Sequence, residues 1–177
     1  MWVFKFDVGV WDSWHLSAWL EELACFGPGQ VVIVPGGWIC SPPCAEEEAP
    51  WVIPGRTKSL MRLHGMAQYS HFLLGLRPDL VPAGTVAEIR RLLKTSRVVV
   101  WLPEEDSEVW GKTLAPDTGP DSLGLRLAQR MKAERLVLVK RAYPKTSTVT
   151  GRWLVREGLA DKGFAASLAQ GSCSVWI

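Results

Sequence analysis

Short apolar runs alternate with segments of helical periodicity along most of the chain. Runs such as Val31–Val34 lack the polar alternation of a half-exposed strand, so they predict strands that are buried on both faces. We predict five strands, at residues 2–10, Val31–Val34, 98–102, 136–140 and 173–177.

The segments between these runs carry apolar residues three or four positions apart, which is the spacing of one helix face. Asp12 or Ser13 provides an N-cap for the first helix, which we expect to end near Ala24. The later helices are predicted at residues 58–76, Val86–Leu93, from Asp121 or Ser122 to about Ala133, 153–157 and 161–169.

Strands that are apolar throughout and alternate with helices favour a parallel sheet covered on both faces. We therefore predict an α/β fold, a three-layer α/β/α sandwich with a mainly parallel sheet, as a single domain over residues 1–177. Ligands of such sheets bind beyond the carboxyl ends of the strands. Those ends carry the segments Asp7-Val8-Gly9, Pro35-Gly36-Gly37, Pro103-Glu104 and Lys140-Arg141.

Composition excludes several classes of protein. The 177 residues are 47% hydrophobic and 21% charged with a net charge of +2, which excludes a disordered chain and a strongly basic nucleic-acid binder. No apolar stretch has the length of a membrane span and no signal-peptide pattern opens the chain, so we expect a soluble cytoplasmic protein. The ten Trp predict an oligomer, because Trp is enriched at interfaces.

The charge is unevenly placed along the chain. Residues 1–110 hold nine Lys and Arg against thirteen Asp and Glu, whereas residues 111–177 hold eleven against five. The basic half either faces an anion such as a nucleotide phosphate or forms a solvated helix face with Arg126, Arg130 and Lys132. The sequence leaves both interpretations open.

The four cysteines predict neither a metal site nor a disulfide. Cys40 and Cys44 flank a Pro-rich loop, but His15, His64 and His71 are too distant in sequence to complete a zinc site of four ligands. A disulfide does not persist in a reducing cytosol, so we expect free thiols.

Five motifs occur in the order in which they occur in the amino acid kinase family. They are Lys5 on the first strand, Val34-Pro35-Gly36-Gly37 after the second, Gly119-Pro120-Asp121-Ser122-Leu123-Gly124 at a helix start, the strand at 136–140 and the segment 158–164. The chain resembles the aspartate, glutamate and uridylate kinases of that family. It is most similar to the short members related to aminomethylfuran-phosphate kinase, which serve methanofuran and tetrahydromethanopterin one-carbon cofactor biosynthesis.

The resemblance implies transfer of a phosphoryl group from ATP, with Mg²⁺, to a small acceptor. Such transfer depends on positioning and charge neutralisation rather than on covalent catalysis. The resemblance assigns catalytic roles to Lys5, Asp121 and Lys140 and no metal ligand. It assigns cofactor binding to Gly9, Gly36, Gly37 and Ser122.

Each catalytic candidate also has a plainer interpretation. Lys5 fits a snorkelling lysine on an edge strand. Asp121 fits an ordinary helix N-cap. Lys140 fits a residue that merely ends a strand.

Both glycine-rich loops depart from the family pattern. Asp7 and Val8 stand in place of glycines, where a carboxylate repels a triphosphate unless a metal intervenes. Val8 also resists any positive φ that the loop requires. Trp38 replaces the third glycine of the second loop, and Pro42 and Pro43 cannot donate backbone hydrogen bonds.

These departures favour a noncatalytic subunit that has kept its fold and assembles with itself or with an active paralogue. In the related kinases, subunits pair through the helix that follows the second strand, which here is residues 58–76. Its apolar residues extend around more than one face: Leu60, Met61, Leu63, Met66, Tyr69, Phe72, Leu73 and Leu76. The alternatives are an active ATP-dependent kinase acting on a small phosphate- or carboxylate-bearing acceptor and a sensor that binds a small ligand or a nucleotide without turnover.

Overall fold

The computed structural model describes residues 1–11, 14–37, 53–103, 109, 118–142, 144 and 148–177. Within these ranges the strands are β1 (Trp2–Phe6), β2 (Val31–Val34), β3 (Val81–Ala83), β4 (Val99–Trp101), β5 (Arg135–Val139) and β6 (Ser174–Trp176). The helices are α1 (Trp14–Phe26), α2 (Gly55–Leu76), α3 (Val86–Leu93), α4 (Pro120–Met131), α5 (Gly151–Arg156) and α6 (Phe164–Leu168). A 3₁₀ turn, Val8–Val10, follows β1.

The strands form one sheet in the order β3-β4-β2-β1-β5-β6, and every neighbouring pair is parallel. Lys5 on β1 lies opposite Val34 on β2 and Leu138 on β5. The carboxyl ends of these three strands therefore meet at one place on the sheet edge. The predicted apolar strands β2, β4 and β5 are all internal to the sheet, which confirms the predicted parallel architecture.

Alternate residues of the central strands pack into two separate cores, one on each face of the sheet. Val3 and Val32 lie in the core that includes Leu125 of α4 and Ile89 of α3. Phe4 and Ile33 lie in the opposite core, with the buried leucines of α1. Helices thus cover both faces, and the predicted three-layer sandwich is confirmed.

Two features of the sheet differ from the prediction. The first strand ends at Phe6 rather than at residue 10, because the chain turns at Asp7 into the 3₁₀ turn. The edge strand β3 was not predicted, since it has only three residues and Pro82 lacks an N–H for the ladder. Proline is tolerated there because an edge strand has one unpaired side.

Other boundaries shift by one to three residues, as in α2, which begins at Gly55 rather than at residue 58. The N-cap predicted at Asp12 or Ser13 and the pair Cys40 and Cys44 lie outside the described residues. Cys25 and Cys173 are free thiols. In the described part of the chain, no helix combines the length and the apolar character needed to cross a membrane.

We expect the carboxyl-terminal helices to fold with the rest of the chain as one domain. Phe164 of α6 is fully buried in the same core as Leu125, whereas Phe26 at the end of α1 is 78% exposed. Phe164→Ala should lower the free energy of unfolding by about 3–5 kcal/mol. The matched control Phe26→Ala should change it by no more than about 0.5 kcal/mol.

Urea unfolding followed by circular dichroism and by tryptophan fluorescence measures both variants. A single coincident transition is expected for each protein. Two separate transitions, or equal losses for the two variants, would contradict the single domain.

Candidate active site

Four charged side chains meet at the carboxyl edge of the sheet. Lys5 is the penultimate residue of β1 and Asp7 lies just beyond it, while Lys140 follows β5 directly and Asp121 lies in the first turn of α4. Because β1 and β5 are parallel neighbours in register, Lys5 and Lys140 reach the same point. The structure therefore brings together the three predicted catalytic residues and adds Asp7 to them.

Each lysine of this group contacts both carboxylates. Lys5 Nζ lies 2.6 Å from Asp121 Oδ1 and 2.9 Å from Asp7 Oδ1. Lys140 Nζ lies 3.0 Å from Asp121 Oδ2 and 3.5 Å from Asp7 Oδ1. The four residues form a closed ring, the Lys–Asp cluster, whose formal charge is zero.

The Lys–Asp cluster is buried on one side and open on the other. The side chain of Lys5 is 1% exposed and those of Asp121 and Lys140 are each 8% exposed, whereas that of Asp7 is 32% exposed. Buried charges are costly unless they are paired with good geometry. Asp7 is thus the solvent-side member that completes the pairing of both lysines.

The pKa values of Lys5 and Asp7 shift in the directions that keep both groups charged. Burial is the largest single effect on Lys5 and disfavours its charge, but attraction to Asp121 and Asp7 outweighs it and raises its pKa. Burial likewise disfavours the charge of Asp7. Its attraction to Lys5 and Lys140 outweighs that effect and lowers the pKa of Asp7 below its ordinary value.

The start of α4 explains why Asp121 faces the lysines. Pro120 occupies the first turn, where its missing N–H costs nothing, and Gly119 is the N-cap residue. An aspartate in the first turn is also favoured by the helix dipole. The N-cap interpretation of Asp121 is therefore wrong, and so is the edge-strand interpretation of Lys5, because β1 is a central strand.

Glycine at position 124 lets α4 run close over Lys5. A Cβ at that position would lie 3.4 Å from Lys5 Cγ and 3.4 Å from Val34 Cγ1, at the lower limit of ordinary van der Waals contact. The close approach places the Asp121 carboxylate, one turn earlier, within reach of the lysine.

Asp161, just before α6, fixes the start of α4 and was not identified as a site residue from the sequence. Its carboxylate accepts hydrogen bonds from the backbone N–H of Ser122, at 2.8 Å, and from the Ser122 hydroxyl. Its own backbone N–H donates to Asp121 Oδ2 at 3.2 Å. The only sequence signal was its place in the family-like segment 158–164.

Gly119 makes the approach of Asp161 possible, since a Cβ there would lie 2.7 Å from Asp161 Cβ. Asp161 is therefore a positioning residue for Asp121. It also occupies both polar donors of Ser122, one of the four residues to which the resemblance assigns cofactor binding.

The three glycines of the predicted phosphate loops differ in their structural roles. A Cβ at Gly36 would lie 2.6 Å from the carbonyl oxygen of Phe6 and 3.0 Å from the amide nitrogen of Val8, so the two strand-end loops touch there. At Gly9 and Gly37 the nearest atoms would be 3.6 and 3.8 Å away, which is ordinary contact.

The conflict predicted at Val8 does not arise. Among the described residues, the glycines with positive φ are Gly29 and Gly158, and the other residues with positive φ are Ser96 and Lys132. Val8 instead begins the 3₁₀ turn, which suits a β-branched residue with negative φ. Trp38, Pro42 and Pro43 lie outside the described residues.

Tyr69 of α2 holds the backbone of the Asp7 turn through a hydrogen bond. Its buried hydroxyl donates to the carbonyl oxygen of Asp7 at 3.4 Å. Burial, assisted by the charge of Asp7, raises the pKa of Tyr69, so the phenol stays a donor. The turn is thus tied to the fold independently of the Asp7 side chain.

The basic side chains at the far end of α4 do not take part in this site. Arg130 and Lys132 are exposed, about 14 Å along the helix from Asp121. These two residues fit the solvated-face interpretation, whereas Lys140 of the same basic half lies in the Lys–Asp cluster.

The Lys–Asp cluster, as it stands, does not fit the phosphates of ATP. Both ammonium groups are already shared between two carboxylates, so no net positive charge is left for a ligand. The sequence predicted that Asp7 would repel a triphosphate. In the structure the charge of Asp7 is balanced by the lysines. Asp7 therefore disfavours phosphate binding by occupying the lysines rather than by repelling the phosphate.

In the ranges that the structure describes, no three His, Cys, Asp or Glu side chains are placed to share a metal ion.

Comparison with solved structures identifies the fold. Uridylate kinase from Archaeoglobus fulgidus matches with a TM-score of 0.68 and 16% identity, over 100% of this chain and 90% of that chain. The UMP kinase from Ureaplasma parvum matches with a TM-score of 0.65 and 11% identity, over 98% and 87% of the two chains. Aspartate kinase from Synechocystis matches with a TM-score of 0.57 and 16% identity, over 80% of this chain and 28% of that chain.

The chain therefore has the amino acid kinase fold, as its motifs predicted. At these identities the likeness concerns the fold alone. A scan against protein-family models and a search of curated proteins found no match.

We expect Asp7 to stabilise the fold in a pH-dependent way. Because its pKa is lower in the folded protein than its ordinary value of 3.8, its contribution is present above about pH 4 and is lost as the pH falls toward the folded pKa. Asp7→Asn should lower the free energy of unfolding at neutral pH by about 1–3 kcal/mol. The difference from wild type should shrink in acid.

Asp79→Asn is the matched control, because Asp79 pairs with Arg77 at 2.9 Å on the exposed surface. The same loss of charge there should have a much smaller effect, since exposed ion pairs are screened by solvent. Denaturant unfolding across the acidic range measures both variants. Equal losses at the two positions, or an Asp7→Asn difference that is independent of pH, would show that the cluster is not the stabilising element.

Proposed function

We propose that this chain is a noncatalytic amino acid kinase-like subunit that acts in the cytoplasm, in methanofuran and tetrahydromethanopterin one-carbon cofactor metabolism. It assembles with itself or with a partner such as an active paralogue. The observation that carries the proposal is the Lys–Asp cluster, in which Asp7 and Asp121 balance both lysines.

The requirements of phosphoryl transfer support this proposal. The reaction needs cations that are available to the transferred group, and the cations of this site are already paired. Lys5 and Lys140 each have two carboxylate partners within 3.5 Å. Ser122 donates both its polar hydrogens to Asp161, and Gly36 is required by the contact between two loops. Two of the four residues assigned to ATP by resemblance, Ser122 and Gly36, therefore have structural roles in this chain.

The link to one-carbon metabolism is supported by the sequence. Five motifs occur in family order, and they are most similar to the short kinases of that metabolism. The amino acid kinase fold agrees with this resemblance.

The second candidate is an active ATP-dependent kinase with a small phosphate- or carboxylate-bearing acceptor. It is favoured by the convergence of Lys5, Asp121 and Lys140 on one point. In that case Asp7 would have to release Lys5 and Lys140 before these lysines could hold the phosphates of ATP. A nucleotide sensor has to meet the same requirement without turnover.

Wild-type protein should bind Mg-ATP no more tightly than about 1 mM, equivalent to about −4 kcal/mol. The reason is that the lysines offer no uncompensated charge. Isothermal titration calorimetry measures the binding, and a coupled assay for ADP measures turnover, with a uridylate kinase as the positive control. Micromolar binding accompanied by ADP formation would refute the noncatalytic proposal, and micromolar binding without ADP would show that the site holds a nucleotide.

The proposed assembly concerns α2, part of whose apolar surface is buried within this chain. Leu63 and Met66 are buried in one core, and Tyr69 and Leu73 are buried in the other, so these four residues are not available to a partner. Leu76 is 46% exposed at the end of the helix, and Leu60, Met61 and Phe72 are partly buried.

If subunits pair through α2, Leu76→Lys should weaken the oligomer, because it places a charge on the outward apolar face. Phe26→Lys is the control, since Phe26 is an exposed apolar residue on another helix. Light scattering at low micromolar concentration measures the mass of each protein. Met66→Glu would be uninformative, because Met66 lies in the core.

Two results would contradict pairing through α2. A wild-type monomer that recovers no partner from cell extract would remove the subunit proposal. Dissociation by Phe26→Lys but not by Leu76→Lys would place the interface on α1.

A further inference from the structure

We infer that Asp7 is a built-in anion that fills an oxyanion site between Lys5 and Lys140, so that removing its charge opens the site to an external oxyanion. The inference rests on the proposed noncatalytic function and deepens it, since it names what blocks the site. It makes Asp7 an autoinhibitory contact within the fold.

The geometry around one oxygen atom carries the inference. Both lysine Nζ atoms converge on Asp7 Oδ1, at 2.9 and 3.5 Å. Two ammonium groups bind one oxygen of a phosphate or carboxylate ligand in the same way, by charge-assisted hydrogen bonds. Asp7 Oδ1 therefore stands where a ligand oxygen would be held.

The exposure of the four side chains shows which of them a ligand can replace. Asp7 is 32% exposed, whereas none of the other three exceeds 8%. Without the charge of Asp7, the remaining group of Lys5, Lys140 and Asp121 has a formal charge of +1. Solvent reaches the cluster at the Asp7 side chain, so an external anion would take the position of that carboxylate.

The lysines stay in place without Asp7 because other contacts hold them. Asp121 remains 2.6 Å from Lys5 and 3.0 Å from Lys140, and it is itself held by the Asp161 N–H. The hydrogen bond from Tyr69 fixes the backbone of residue 7 rather than its side chain. The cations are therefore preorganised for a ligand, which reduces the cost of binding.

The test compares wild type, Asp7→Asn and Asp79→Asn by calorimetric titration with inorganic pyrophosphate and, separately, with succinate. Asp7→Asn keeps the size of the side chain, and Asp79→Asn makes the same change of charge at an exposed surface pair. Asp7→Asn should bind one of the two probes at least about tenfold more tightly than the other proteins do. The binding should weaken as salt is added.

The two probes distinguish the sources of the oxyanion. Preference for pyrophosphate identifies a phosphate site, and preference for succinate identifies a carboxylate site. Equal binding of both probes by all three proteins, or tight binding by wild type, would overturn the inference.

A second measurement applies if Asp7→Asn does not fold in dilute buffer. Circular dichroism then follows refolding on addition of sodium phosphate or of sodium chloride at equal ionic strength. Recovery in phosphate and not in chloride supports the inference, because an external oxyanion replaces the missing carboxylate. Equal recovery in the two salts, or recovery in neither, overturns it.

The result of this binding test is independent of the result of the test for the noncatalytic function. ADP formation by wild type would refute the noncatalytic proposal whatever the variants bind. Failure of Asp7→Asn to gain affinity refutes the built-in anion even where wild type proves inactive.

Discussion

The structure depends on the neutralisation of one buried charge, the ammonium group of Lys5. This side chain is 1% exposed and lies on a central strand beneath α4. An unpaired charge in that position would cost several kcal/mol. Asp121 and Asp7 provide the pairing, and through them Lys140 is joined to the same cluster, so that β1, β5 and α4 are linked by charge as well as by packing.

Several distant residues serve this arrangement. Asp161 orients Asp121, and Gly119 and Gly124 allow the close approaches that bring α6 to α4 and α4 to β1. Gly36 and Tyr69 fix the turn from which Asp7 reaches the lysines. The carboxyl edge, where ligands of such sheets bind, is therefore a stabilising element of this fold.

The fold is shared with uridylate and aspartate kinases although identity is only 11–16%. A backbone persists at this distance because many apolar sequences fill the same two cores, whereas chemistry depends on a few placed groups. In this chain the charge of Asp7 completes the neutral Lys–Asp cluster, whereas Lys5, Lys140 and Asp121 without it have a formal charge of +1.

The layers, the internal strands and the sheet edge at which Lys5, Asp121 and Lys140 are found could all be predicted from the sequence. Continuous apolar runs such as Val31–Val34 can only be buried on both faces, and parallel strands bring their carboxyl ends together. The tertiary structure alone decided that Asp7 pairs with the lysines, that Asp121 is not a cap and that Asp161 supports it. These outcomes depend on which charges meet in space. Residues 5, 121, 140 and 161 are far apart in the sequence, so no local sequence pattern shows that they lie close together. For the same reason the edge strand at Pro82 appeared only in the structure, because pairing with β4, rather than its own three residues, makes it a strand.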